Sequence, residues 1–127
     1  MKKAFLRTTL LGALLFACAG AIAQNSEAFA QKMTDTMKVR LPLTDSIQYQ
    51  KMYDLNLKYA ERQQEVFSGT GNKMSKFREL KSLQSKKSAE AKVLLSKEQY
   101  KNYEALVSEM REQMIEKFRN RKNAPEQ

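Results

Sequence analysis

The sequence contains no His and no Trp, one Cys, two Pro and four Gly among 127 residues. Each shortage closes off a class of protein. Without His the chain lacks the commonest general base and the commonest zinc ligand. With Cys18 as its lone thiol it can form no disulfide within itself. So little Pro and Gly leaves scant turn material, which argues against a many-stranded β fold and for a few long helices. Gly69-Thr70-Gly71 starts like a dinucleotide fingerprint but has no third Gly and no preceding strand. No phosphate-loop pattern is present, and no Ser is followed three residues later by Lys, so that hydrolase signature is missing too. These shortages read as a non-enzyme without cofactor or metal. The length allows one small domain, which buries little apolar surface alone and points to a partner, most simply a second copy.

What is present is apolar and basic: 42% hydrophobic residues, 29% charged residues and a net charge of +9. Lys2, Lys3 and Arg7 precede an uncharged run from Thr8 to Ala23 that ends in Ala21-Ile22-Ala23, a small-x-small cleavage pattern. Residues 1–23 therefore read as a secretory signal peptide, too short in its apolar core for a spanning helix. Leu15-Phe16-Ala17-Cys18 loosely resembles a lipoprotein box, but bulky Phe16 and the apolar residues after Cys18 fit it poorly. Cys18 is read as part of the leader. Removal of the leader takes three cations and no anion, which lowers the net charge from +9 to +6. Nothing after Ala23 resembles a membrane span, so the expected product is an exported protein of an envelope compartment.

Four helical segments follow within residues 24–119, before a tail at 120–127. Phe29, Met33, Met37 and Leu41 recur every four residues until Leu41-Pro42-Leu43 stops the first helix. Thr44 is the expected N-cap of the second, which carries Tyr49, Met52, Tyr53, Tyr59, Ala60, Val66 and Phe67 at helical spacing. Ser68 to Asn72 reads as a helix-ending loop, with Gly69 or Gly71 in a left-handed cap. The third helix, about Lys73 to Leu94, has a thin apolar seam of Met74, Phe77, Leu80, Leu83, Ala91 and Leu94. Its middle, Gln84 to Ser88, is polar on every side. Ser96 and Gln99 form a capping box for the fourth helix, and Leu95 and Tyr100 are placed as a hydrophobic staple. Short connections between long helices imply antiparallel neighbours.

Charge is segregated along this pattern. Residues 24–72 hold six cations and six anions, and so do residues 98–127, whereas 73–97 hold eight cations and two anions. The surplus therefore lies on the third helix, at Lys73, Lys76, Arg78, Lys81, Lys86, Lys87 and Lys92. Such a strip can attract an anionic or mixed partner over distance, or it can be a solvated face and no more. Beside it, Met74, Phe77 and Leu80 are candidates for adaptable apolar contact. Export and the lack of any zinc-finger or RNA-binding motif argue against nucleic acid.

Leu95-Ser96-Lys97-Glu98-Gln99 matches a Leu-Thr/Ser-x-x-Gln pattern at the start of a helix. Leu43-Thr44-Asp45-Ser46-Ile47 is an imperfect copy, with Gln48 one place late. In a small, exported, basic, helical chain, this resembles the Spy/CpxP family of LTxxQ-motif periplasmic proteins. The resemblance implies an all-α fold built on a long bent antiparallel hairpin, paired as a cradle-shaped antiparallel homodimer. It also implies either an ATP-independent chaperone for unfolded envelope proteins or a stress regulator docking on a sensor kinase. A zinc-binding branch of the family uses His and Cys, which this chain lacks beyond its leader. A metal-responsive role is the third alternative.

Overall fold

The computed structural model describes residues 25–123. The leader at 1–23 and the end of the tail lie outside them. The described residues form four helices and no strand: α1 Ser26–Arg40, α2 Ser46–Ser68, α3 Lys73–Leu94 and α4 Lys97–Asn123. The fold is all-α. The fourth helix continues through the first half of the segment read as a tail. No helix among the described residues is long and apolar enough to cross a membrane.

Local chemistry sets most of the ends. Asn25 caps α1 by accepting from the Ala28 amide at 3.1 Å, and Asn72 caps α3 by accepting from Ser75 at 2.8 Å. For α2 the cap is Asp45, which accepts from the Ile47 amide at 2.9 Å. Thr44, the residue expected in that role, is exposed one place earlier. A carboxylate at the positive end of a helix gains from the macrodipole as well as from the hydrogen bond, which favours Asp45. The glycine expectation also fails. Gly69 ends α2 in an extended conformation with φ −74°, and no described glycine has a positive φ. The lysine ammonium of Lys76 instead donates to the Phe67 carbonyl at 3.0 Å and satisfies one orphan group of the last turn.

Helices α1 and α2 run antiparallel. Ser26 bonds Gln64 at 3.0 Å, and the Asn56 amide donates to Thr34 Oγ1 at 3.0 Å further down. Helices α2 and α3 are the long hairpin, antiparallel across Lys58–Glu90 at 2.8 Å. Helix α4 turns back beside α3, so that Tyr103 lies against Ser88 and Gln84, and Arg40 of α1 pairs with Glu109 at 2.7 Å. The core gathers Phe29, Met33, Met37 and Leu41 from α1 and its end, Met52, Leu55 and Tyr59 from α2, Leu83 and Ala91 from α3, and Tyr103 and Leu106 from α4. The described segment thus closes its own core. Past Met110 no described side chain of α4 joins it.

The two Leu-Thr/Ser motifs meet. Leu43 and Leu95 are both buried. Ser96 and Gln99 form the expected reciprocal box: the Gln99 amide donates to Ser96 Oγ at 3.1 Å, and the Ser96 amide donates to Gln99 Oε1 at 3.0 Å. Gln99 Nε2 also donates to Gln48 Oε1 at 3.0 Å and to the Pro42 carbonyl at 3.3 Å. Gln48 Nε2 returns a bond to Gln99 Oε1 at 2.6 Å and reaches the Leu94 carbonyl at 3.1 Å. The late glutamine of the imperfect copy therefore does the joining, while Ile47 stays exposed. Gln99→Ala removes a helix cap and an inter-helix clasp together. It is expected to cost about 1–2 kcal/mol in urea denaturation. A loss within the roughly 0.5 kcal/mol of an ordinary surface change would show the clasp to be idle.

Candidate functional site

The apolar seam read along α3 divides in space. Met74, Phe77, Leu80 and Leu83 follow one another at three-residue steps, and each such step rotates about 60° around an α-helix. Met74 and Leu83 therefore point in nearly opposite directions. Leu83 is buried, and Leu80 packs against the core. Leu80 is thus partly covered by the core and partly open to solvent. Met74 and Phe77 face outward, 61% and 64% exposed.

The buried row of α3 follows four-residue steps instead: Leu83, Lys87 and Ala91. Lys87 is only 6% exposed. This corrects its place in the cationic strip. Burial lowers its pKa from 10.5 to about 8, because a desolvated ammonium is costly, and Lys87 makes no ion pair among the described residues. The spacing carried the signal: Lys87 stands between the apolar Leu83 and Ala91 on one helix face. It also accounts for the polar middle of α3, whose inner face Lys87 completes.

The other cations of the strip have different surroundings. Lys76 caps α2, as described. Lys92 lies with its ammonium 5.7 Å from the centre of the Tyr100 ring, a cation–π distance that fixes it beside α4. Lys73, Arg78, Lys81 and Lys86 are exposed and make no ion pair among the described residues. Of the two acids on α3, Glu90 is taken by Lys58, which holds its carboxyl below the usual carboxylate range through a hydrogen bond. Glu79 alone is left to offset the strip.

The surface assembled this way is small and specific in place. Met74, Phe77, Arg78 and Lys81 occupy the outer side of the first half of α3, across the helix from the core. Phe67, 50% exposed at the end of α2, adds an aromatic edge at the turn. A shallow cleft beside the turn is lined by Arg62, Glu65, Val66, Lys76, Glu79 and Leu83. Its charges are mixed, and its walls are the hairpin's own packing residues. Among the described residues no group of three His, Cys, Asp or Glu is arranged to hold a metal. Met33, Met37 and Met52 are core residues, and Met114 is exposed on the far half of α4.

Chemically, the outer side of α3 presents cationic and apolar side chains to solvent. Comparison with family models, with curated proteins and with solved structures returned no match.

Proposed function

We propose that this chain is a periplasmic, ATP-independent chaperone-like protein, similar in kind to the Spy/CpxP proteins, that holds unfolded envelope proteins. The single observation that carries the reading is the set of unpaired cations Arg78 and Lys81 set around exposed Met74 and Phe77 on a helix otherwise held by its neighbours. Lys73 and Lys86 extend that field along the helix. Long-range attraction speeds encounter with acidic stretches of a client. Thioether and aromatic side chains then make adaptable contacts without a fixed geometry. Binding of this sort is weak enough to release a client that has buried its own apolar surface. The process therefore requires no nucleotide, and the protein acts without being an enzyme. A homodimer would place a second strip beside the first and raise the effective concentration of sites.

Aggregation assays on the protein without its leader test the proposal. Several unrelated unfolded clients are expected to stay in solution at stoichiometric amounts of the protein. No protection of any of them would remove the chaperone reading. Recovery of one tight partner from envelope extract, with no general protection, would put a kinase-docking regulator in its place.

A further inference from the structure

We propose that the α2–α3 turn, which shares Met74, Phe77 and Arg78 with the client-holding face, also docks on an anionic phospholipid bilayer. From Val66 to Arg78 there is no acidic residue, while Lys73, Lys76 and Arg78 fall within the stretch. Phe67, Met74 and Phe77 are each at least half exposed there. The loop joining them, Ser68 to Asn72, is uncharged and exposed throughout. No acid occupies the first turn of α3, although the positive end of a helix favours one. Lys73 sits there instead, against the local preference. Lys76 meanwhile covers the Phe67 carbonyl, which lessens the negative end of α2 at the same tip.

The shape favours a bilayer over a folded partner. The end of a helical hairpin is convex and offers a globular protein little area to bury. A headgroup region yields to such an end, takes up aromatic and thioether side chains to a depth of about 5–10 Å, and pairs with Lys and Arg that extend toward the phosphates. Each cation near an anionic leaflet contributes roughly a fivefold increase in partition. Docking by the tip requires no spanning helix and leaves the Gln48–Gln99 end of the molecule directed away from the surface.

The test uses residues 24–127 and vesicles of phosphatidylglycerol and phosphatidylethanolamine against vesicles of phosphatidylcholine alone. Because the chain has no Trp, Phe77→Trp supplies a single reporter. Its emission is expected to shift to the blue with the anionic vesicles only. In co-sedimentation, Met74→Ser with Phe77→Ser should lower partition at least tenfold with all charges kept. Lys73→Gln with Arg78→Gln should lower it roughly twenty-five-fold, at two cations lost. Val39→Ser, a still more exposed apolar change on α1, should lower nothing. Any of three results overturns the proposal: no association with anionic vesicles, equal loss from the Val39 change, or retention by soluble polyglutamate with none by vesicles. Client protection is scored on the unaltered protein without lipid, so either activity can fail without the other.

Discussion

Lys87→Met is expected to stabilise the fold by about 3 kcal/mol at pH 7. Lys87 is buried on the α3 face that carries Leu83 and Ala91, and folding lowers its pKa from 10.5 to about 8. Below pH 8 both the folded and the unfolded chain carry the proton, so the whole cost of the buried charge is present. Between about pH 8 and 10.5 the folded chain has lost the proton and the unfolded chain still holds it. The unfolded state then binds more protons, and stability rises with pH. Met keeps the length and the flexible packing of the side chain and removes the charge. An apolar side chain of similar volume carries no such desolvation cost.

The phenols set the upper limit of that window. Tyr103 is almost fully buried, and burial raises its pKa above 10. An acid whose folded pKa is raised gives stability that is present below its unfolded pKa and lost as pH climbs past it. The wild-type protein should therefore be most stable near pH 10, rising from pH 8 and falling above. Urea denaturation followed by circular dichroism at several pH values measures both effects. At pH 7 the variant midpoint should lie roughly 1–3 M above wild type, and the rise between pH 8 and 10 should vanish. A wild-type midpoint that is level across that range, with no gain in Lys87→Met, would show that Lys87 reaches water. Client protection should be unaffected by this change, because the ammonium is not part of the outer surface.

Reversal of the four free cations gives the largest functional effect. Lys73, Arg78, Lys81 and Lys86 to Glu together take residues 24–127 from +6 to −2. All four are exposed and unpaired, so the fold has little to lose. Glu at position 73 even places an acid where the start of α3 favours one. Electrostatic steering changes association rates by about 10- to 1,000-fold, and its loss should slow capture of acidic unfolded clients at least tenfold at low salt. Wild type and variant should converge as salt rises toward 1 M, where the screening length falls to about 3 Å. Stopped-flow capture of a fluorescent unfolded client reads both. Equal rates at low salt, with helicity unchanged, would end the idea that this strip recruits anything.

Much of the molecule was legible from residue patterns alone. Phe29, Met33, Met37 and Leu41 do form a buried row, and Ser96 with Gln99 does cap α4. Both depend on neighbours three or four positions away in the chain, and the helix geometry fixes those distances in advance. Caps at Asn25 and Asn72 obey the same local rule. The concentration of positive charge on α3 is likewise a property of order along the chain.

Other features exist only because helices meet. A single helix presents several candidate faces, and the neighbours decide which is covered. That choice buried Lys87, turned Met74 and Phe77 outward and set Leu80 against the edge of the core. It also brought Gln48, one place out of register with its motif, against Gln99 across the base of the hairpin. Four helices, most of their ends and the location of the surplus charge follow from residue order, through short-range spacing and hydrogen-bond chemistry. Which cations remain in solvent, and which apolar side chains stand beside them, was settled by packing, because burial depends on how α2 and α4 lie against α3.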